Sequence, residues 1–201
     1  MRGVPVVVAV SNTLVNVPNV LTTGRLLLAV VLFVLIPCKW YGIAAGLFVV
    51  AAATDWVDGW YARRYGQVTK FGRIFDPFVD KVIVCGTYVF LAAEPHSGIA
   101  AWMAVVVMGR ELLVTALRSF IEQQGGDFSA QWSGKLKMAV QCVAAVASLL
   151  VLYHQATWAG QPLPVWLAWG LPVAAWAAVA ITVYSGAEYL WAARRWFAEG
   201  R

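Results

Sequence analysis

The chain has 201 residues, of which 61% are hydrophobic and 12% are charged, and its net charge is +5. Soluble domains carry about 25% charged residues, so this composition excludes an ordinary soluble domain and predicts helices that cross a bilayer. The positive charge does not indicate nucleic-acid binding, because the basic residues are scattered between apolar stretches. They suit anionic phosphate groups at a membrane surface instead.

Residues 1–18 precede the first long apolar stretch. They contain one short apolar run, PVVVAV, which is too short to cross a bilayer. The run is not followed by a convincing small-residue cleavage site of the kind that ends a signal peptide. We therefore expect an N-terminal segment that lies at the membrane interface.

Six apolar stretches follow, each of a length that can cross a bilayer. They cover about residues 20–38, 43–63, 76–93, 99–121, 133–153 and 165–192. Short polar segments separate them, and neither a long linker nor an internal repeat is evident. The sequence therefore predicts an all-α integral membrane protein with six transmembrane helices, built as a single domain over 1–201.

The start of the third helix is predicted from its capping residues. Asp76 is a good N-cap residue, and Pro77 follows at the first helical position, where its missing N–H is harmless. The preceding residues, 64–73, contain two arginines and a lysine. This pattern predicts a basic loop that ends just before Asp76.

The distribution of Lys and Arg predicts the orientation of the chain. Nearly all of the 15 basic residues fall on one side of the predicted helices, and Lys39 is the exception on the opposite side. Short loops rich in Lys and Arg stay in the cytoplasm. Both termini and the segment between the second and third helices should therefore face the cytoplasm, in the cell or inner membrane.

Four of the ten acidic residues fall within 26 positions: Asp55, Asp58, Asp76 and Asp80. The first two are spaced i, i+3 and the last two i, i+4, so each pair shares one helical face. Two helices that each present two carboxylates can converge on a cation. Carboxylate oxygens suit hard cations such as Mg²⁺ or Mn²⁺.

Acidic side chains inside apolar helices are costly. One ionised Asp at mid-membrane costs about 2.5–3.5 kcal/mol, so four approach about 10–14 kcal/mol as an upper bound. Neighbouring Arg and Lys side chains could offset this cost, and two divalent cations could do so directly. Two metals held by carboxylates suit phosphoryl transfer, in which a spare carboxylate can act as general base.

Eight positions of this acidic stretch resemble the signature of the CDP-alcohol phosphatidyltransferases: Asp55-x2-Asp58-Gly59-x2-Ala62-Arg63-x8-Gly72-x3-Asp76-x3-Asp80. The resemblance implies an integral membrane enzyme with six transmembrane helices, usually a homodimer. Such an enzyme uses an alcohol to displace CMP from a CDP-linked donor.

The resemblance also implies roles for individual residues. The ligands of two divalent cations, Mg²⁺ or alternatively Mn²⁺, would be Asp55, Asp58, Asp76 and Asp80. Asp80 would also be the catalytic base. The CDP moiety would be bound by Asp58, Gly59, Ala62, Arg63, Thr69 and Gly72.

Further marks resemble the phosphatidylglycerophosphate synthases within that family: Pro18-Asn19-x-Leu21-Thr22-x2-Arg25, Arg110-Glu111-Leu112, Gly134-Lys135-x-Lys137, and the last helix with Ser185, Tyr189 and Arg194. These imply CDP-diacylglycerol as donor and sn-glycerol 3-phosphate as acceptor, with phosphatidylglycerol phosphate and CMP as products.

A dianionic acceptor phosphate needs cations that the acidic stretch cannot supply. The candidates are Arg25, Arg110, Arg118 and Lys135. Each could instead be a topology anchor whose charge reaches the interface, and Lys137 fits either role. Glu111 is seven residues before Arg118 on one helical face, so we expect it to orient an arginine.

Other functions are compatible with parts of this pattern. The same chemistry could use another acceptor, chiefly inositol phosphate, with serine and phosphatidylglycerol as weaker candidates. A divalent cation transporter would also contain acidic residues in its helices, but its acids should line a path through the membrane rather than one face. A structural scaffold gives no reason for the spacing of the aspartates.

Overall fold

The computed structural model of the chain describes residues 17–65, 70–124 and 132–198, and within its helices the side chains at 17–21, 55–65, 70–74, 76, 132–133 and 135 lie outside the description. Most of the predicted N-terminal segment, 1–16, also lies outside it. The described residues form helices and no strand: α1 (Val17–Leu35), α2 (Tyr41–Tyr65), α3 (Lys70–Ala93), α4 (Ala101–Gln123), α5 (Trp132–Thr157) and α6 (Val165–Ala198). The prediction of an all-α chain with six helices is confirmed.

Helix α3 begins earlier than predicted. It starts at Lys70 rather than Asp76, and Pro77 lies inside the helix instead of at its first position. The predicted loop over 64–73 is wrong for the same reason, although 66–69 lie outside the described residues. Proline favours the first turn because it removes one backbone hydrogen bond. Here Val79 and Ile83, 0% and 4% exposed, anchor the helix in the core just after the proline.

Helices α3 and α5 lie at the centre of the bundle. Helix α3 packs against α1, α4 and α5, while α5 packs against α2, α3 and α6. The core combines large buried side chains, such as Tyr88, Phe48 and Leu149, with fully buried alanines such as Ala144 and Ala178. Small residues let helix backbones approach closely, which strengthens helix packing where lipid rather than water surrounds the bundle.

One close approach joins α1 to α3. A Cβ atom added to Gly86 would lie 2.2 Å from Cζ of Phe33, so this position accepts glycine alone without movement of the ring. The Phe33 ring also stacks on Phe90, with 5.0 Å between the ring centroids. This contact fixes α3 against α1, which positions Asp80 two turns earlier on the same helix.

The outer surface of the bundle is apolar. On α6, the side chains of Trp166, Trp169 and Trp176 are 66%, 73% and 60% exposed. In the described part of the chain, Leu136–Thr157 and Val165–Ala198 are long and apolar enough to cross a membrane, judged by length and composition. Large exposed apolar surfaces are rare on soluble monomers, so this exterior suits lipid.

Candidate functional site

The acidic stretch occupies the end of α2 and the beginning of α3. Of its predicted site residues, Asp80 has a described side chain. The side chains of the others lie outside the described residues: Asp55, Asp58, Gly59, Ala62, Arg63, Thr69, Gly72 and Asp76. Among the side chains that are described, no group of three or more His, Cys, Asp or Glu could hold a metal ion.

Asp80 on α3 forms an ion pair with Arg25 on α1. Its Oδ1 atom lies 3.0 Å from Nη1 of Arg25, whose side chain is 2% exposed, whereas the Asp80 side chain is 28% exposed. A buried guanidinium needs a counter-charge, because breaking a buried pair leaves an uncompensated charge. The contact therefore orients the predicted base while part of its carboxylate stays accessible.

A second polar group lies between α4, α5 and α6. We call it the basic cluster, and its members are Arg110, Glu111, Arg118, Lys137, Ser185 and Tyr189. Arg110 Nη1 lies 3.3 Å from Glu111 Oε1, and Lys137 Nζ donates a hydrogen bond to the same oxygen. Arg118 bonds to Tyr189 instead, so the three cations and one carboxylate of the cluster give a formal excess of two positive charges.

Two helix-to-helix contacts hold the arginines of the cluster. Arg110 Nε donates to Ser185 Oγ over 3.1 Å, and Arg118 Nη2 donates to the hydroxyl of Tyr189 over 3.0 Å. The guanidinium carbons of Arg110 and Arg118 also lie 5.3 and 5.9 Å from the centroid of the Tyr189 ring. A cation within about 6 Å of a tyrosine ring face is attracted to it. Helix α6 therefore fixes both arginines of α4.

The structure divides the predicted acceptor-binding residues between two places. It brings Arg110 and Arg118 together in the basic cluster, and it places Arg25 beside Asp80 instead. The side chain of Lys135 lies outside the described residues. Lys137, which the sequence left undecided, is 5% exposed and paired with Glu111, so it is not an interfacial anchor.

Glu111 orients an arginine, as predicted, but the arginine is Arg110 rather than Arg118. Seven residues span about 10.5 Å along a helix, which is too far for a direct carboxylate contact on one face. Glu111 instead reaches its sequence neighbour Arg110 and, across the interface, Lys137.

Two members of the basic cluster, Ser185 and Tyr189, had no predicted role in the site. Their spacing of i, i+4 could have indicated a role, because it places two polar residues on one face of an apolar helix. Both are buried, at 0% and 1% exposure. Their partners are 75 and 71 residues away in sequence, so the signal alone could not identify those partners.

Buried polar contacts continue along the bundle beyond the cluster. Gln141 Nε2 donates to Thr182 Oγ1 over 2.8 Å, which joins α5 to α6. The hydroxyl of Tyr88 on α3 donates to the backbone carbonyl of Gln141 over 3.1 Å. Buried polar groups that are hydrogen-bonded in this way fix the register of the helices that carry them.

An apolar cavity of about 530 Å³ lies between α2 and α5. It opens on the outer surface of the bundle, because Val143 and Trp166 on its wall are 60% and 66% exposed. A smaller pocket that includes Asp80 lies next to it. The two share three residues: Phe48, Ala52 and Cys142. The apolar cavity therefore adjoins the pocket that Asp80 borders.

A family model described as CDP-alcohol phosphatidyltransferase matches residues 15–184. The chain belongs to the CDP-alcohol phosphatidyltransferase family. The resemblance that the acidic stretch indicated is thereby confirmed, and the matched residues include the whole of that stretch.

Curated proteins of this family named "CDP-diacylglycerol--glycerol-3-phosphate 3-phosphatidyltransferase" are similar to the chain over most of its length. The protein of Bacillus subtilis (strain 168) is 33% identical over 189 residues, which cover 87% of this chain and 93% of the relative. That of Escherichia coli (strain K12) is 36% identical over 185 residues, which cover 89% and 95%. That of Sodalis glossinidius (strain morsitans) is 36% identical over 186 residues, with the same coverage.

The range that the family model matches includes part of the basic cluster. The matched range includes Asp80, Arg110 and Arg118, and it ends at residue 184. Ser185 and Tyr189, which hold the two arginines from α6, come directly after it.

Proposed function

We propose that the chain transfers the phosphatidyl group of CDP-diacylglycerol to sn-glycerol 3-phosphate, which gives phosphatidylglycerol phosphate and CMP. Its curated relatives carry this reaction in their names, and the similarity extends over most of both chains. The observation that supports sn-glycerol 3-phosphate as the acceptor is the basic cluster. Its excess of two positive charges matches a phosphate dianion, and arginine binds phosphate through directed, charge-assisted hydrogen bonds.

We place the protein across the cell membrane with six transmembrane helices and both termini in the cytoplasm. The apolar exterior supports a membrane location. The distribution of Lys and Arg supports the orientation, since only Lys39 lies on the opposite side. In this orientation the acidic stretch meets the cytoplasm, where a CDP-linked donor presents its nucleotide. A homodimer follows from the family resemblance.

We assign the binding of divalent metal to Asp55, Asp58, Asp76 and Asp80. The Asp80 carboxylate fits this assignment, because it is partly exposed and borders a pocket lined by α2, α3 and α5. Its oxygens are the donor type that Mg²⁺ and Mn²⁺ prefer. Two divalent cations held there would stabilise the charge on the attacking and leaving oxygens.

We further assign the CDP moiety of the donor to the residues between these ligands: Asp58, Gly59, Ala62, Arg63, Thr69 and Gly72. Arg63 supplies positive charge for the diphosphate. Gly59 and Gly72 have no side chain, so the nucleotide can come close to the helix backbone. The family match over this whole stretch supports the assignment.

The acyl chains of the donor fit the apolar cavity. The cavity has a volume of about 530 Å³ and an apolar wall. It shares lining residues with the Asp80 pocket beside it. A diacylglycerol group in the cavity would keep its chains in lipid while its diphosphate reaches the acidic stretch. Each methylene kept out of water contributes about 0.8 kcal/mol, so this arrangement avoids a large transfer cost.

The reaction then follows from the positions of three side chains. Arg110 and Arg118 bind the phosphate of the acceptor, which directs its 1-hydroxyl towards the donor. Asp80, oriented by Arg25, takes the proton of that hydroxyl as general base. The oxygen forms a bond with the β-phosphorus of the donor, the bond from that phosphorus to the CMP oxygen breaks, and CMP leaves with the electron pair.

Release of CMP by the purified protein tests the proposal. The protein is incubated in lipid–detergent micelles with CDP-diacylglycerol, Mg²⁺ and one acceptor at a time. We expect release with sn-glycerol 3-phosphate, and little release with inositol phosphate, serine or phosphatidylglycerol. A chelator should abolish release, and added Mg²⁺ should restore it. Release with inositol phosphate alone would overturn the acceptor assignment and leave the chemistry intact.

The same preparation tests the transporter alternative. Reconstituted into liposomes, the protein should show no Mg²⁺ or Mn²⁺ flux above that of empty liposomes. Metal flux without any CMP release, under conditions in which the lipid donor is present, would contradict an enzymatic role and support the transporter.

A further inference from the structure

Tyr189 stands out among the buried residues that the proposed reaction does not use. It is 1% exposed, yet it is polar and lies in the apolar helix α6. Burying a hydroxyl is costly unless it is hydrogen-bonded. Its hydroxyl accepts from Arg118, and its ring faces the guanidinium groups of both Arg110 and Arg118. The residue therefore contacts both cations that we assign to the acceptor phosphate.

The two guanidinium groups carry like charges and would otherwise repel each other. A tyrosine ring attracts cations to its face, and the attraction grows as water is excluded. With 5.3 Å to one guanidinium carbon and 5.9 Å to the other, the ring offsets this repulsion and sets the separation of the charges. Glu111 compensates Arg110 from the other side, while the hydroxyl of Tyr189 accepts a hydrogen bond from Arg118.

Both arginines retain donor groups that point to a further ligand. Among the buried atoms of the described residues that have no hydrogen-bond partner are Nη2 of Arg110 and Nε of Arg118. The Arg110 side chain is 9% exposed, so an unpaired N–H group there is costly. An anion that binds both guanidinium groups after a small rotation would satisfy them.

The backbone beside the cluster leaves room for this arrangement. A Cβ atom added to Gly186 would lie 3.3 Å from Cγ of Arg110, which is closer than an ordinary contact. A Cβ atom there would require Arg110 to shift by a few tenths of an ångström. Gly186 and Tyr189 are neighbours on α6, so one turn of this helix both admits Arg110 and supports its guanidinium group.

We infer that Tyr189 is a positioning residue for the acceptor: its ring and hydroxyl hold Arg110 and Arg118 at the separation at which both bind one phosphate group. This inference rests on the proposed function, because it concerns the acceptor site of that reaction. Tyr189 does not touch the reacting atoms. It acts through the two arginines, so its loss should weaken acceptor binding and leave the donor and the chemical step unchanged.

Tyr189→Phe tests the inference, with Tyr88→Phe as a matched control. Both tyrosines are 1% exposed and both lose one hydrogen bond, but Tyr88 contacts the carbonyl of Gln141 and not the cluster. Because Arg118 loses a charge-assisted hydrogen bond while the ring stays, we expect Tyr189→Phe to raise the KM for sn-glycerol 3-phosphate about tenfold. Its KM for CDP-diacylglycerol and its kcat should stay near wild type, and Tyr88→Phe should leave both KM values unchanged.

Competition by inorganic phosphate measures binding of the phosphate group separately from binding of the rest of the acceptor. The inhibition constant of phosphate against sn-glycerol 3-phosphate should rise in Tyr189→Phe by the same factor as the KM. An unchanged acceptor KM, an equal rise for the donor, or an equal effect of Tyr88→Phe would overturn the inference.

Direct binding of inorganic phosphate, followed by titration calorimetry of the purified proteins, separates this inference from the proposed function. If the wild type releases no CMP with any phosphorylated acceptor, the proposed function fails. Weaker phosphate binding by Tyr189→Phe than by wild type and Tyr88→Phe would still support the positioning role. Equal phosphate binding by all three proteins would overturn it, whatever the acceptor.

Discussion

The acidic stretch and the basic cluster are built in opposite ways. The four aspartates lie within 26 consecutive residues on two successive helices. The basic cluster combines α4, α5 and α6, and the hydrogen bonds between these helices join residues 26 to 75 positions apart. The first region is therefore defined by local spacing, whereas the second exists only when three helices pack correctly. Substitutions in the two regions should fail in different ways.

The largest effect is expected for Asp80→Asn in the acidic stretch. The amide cannot accept the proton of the acceptor hydroxyl, and general base catalysis contributes about 10²–10⁴-fold. We expect kcat for CMP release to fall by about that factor, with the acceptor KM near wild type. Glu94→Gln is the control, because Glu94 bonds to Tyr41 in a different contact. Near-normal turnover by Asp80→Asn with metal still bound would mean that another group is the base.

The second-largest expected effect is a loss of stability on breaking the buried ion pair of the basic cluster. It tests whether the cluster depends on helix packing. Glu111 and Lys137 are 8% and 5% exposed, and removal of one partner of a buried pair costs about 3–5 kcal/mol. Glu111→Gln should therefore lower the midpoint of thermal unfolding in detergent strongly. The double variant Glu111→Met with Lys137→Met removes both charges and should recover much of the loss.

The same double variant separates the charge of the cluster from its stability. It keeps the excess of two positive charges on Arg110 and Arg118, so its acceptor KM should stay within a few-fold of wild type. A double variant that remains as unstable as Glu111→Gln would contradict the view that the pair is needed mainly for charge compensation.

A smaller effect is expected for Arg118→Met, which removes one cation of the cluster. A charged hydrogen bond is worth about 1.5–3 kcal/mol, so the KM for sn-glycerol 3-phosphate should rise about 10–100-fold. The exposed Arg195, which lies over Trp191 on α6, provides the control variant Arg195→Met. If Arg118→Met lowered kcat and left the acceptor KM unchanged, the assignment of acceptor binding to the basic cluster and of catalysis to the acidic stretch would be wrong.

The smallest effect is expected in the apolar cavity. Ala147 lies on its wall, and Ala147→Trp should displace one or two methylenes of the donor. At about 0.8 kcal/mol for each, the KM for CDP-diacylglycerol should rise about four- to fifteen-fold, while the acceptor KM should not change. Val105→Trp, at a 68% exposed position on α4, is the control. Equal effects of both variants would remove the cavity from the donor site.

The sequence predicted the helices well where hydropathy alone decides. The fourth helix was expected at about 99–121 and is Ala101–Gln123, because both of its ends coincide with a change from apolar to polar residues. The start of α3 was wrong because Pro77 carries a strong local preference that tertiary packing overrides. Local preferences are most reliable where no opposing contact exists.

The candidate site shows the same limit. Family membership could be predicted, since the spacing of the aspartates is a local pattern. The cluster needed the contact between α4 and α6: Arg110 and Arg118 were predicted as cations, but Ser185 and Tyr189 received no role. Hydropathy and helical periodicity specify which face of a helix is polar, and they do not specify which helix that face meets.

The position of the apolar cavity beside the Asp80 pocket has a consequence for how substrates and products would move. Since Val143 and Trp166 at its wall are exposed to the exterior, the proposed lipid donor would enter sideways from the bilayer without leaving it. The acceptor and CMP, which are water-soluble, would pass through the opposite, aqueous side of the site. The proposed donor would then come from the membrane and the acceptor from water. Turnover should therefore depend on the density of CDP-diacylglycerol in the membrane as much as on the concentration of the acceptor in water.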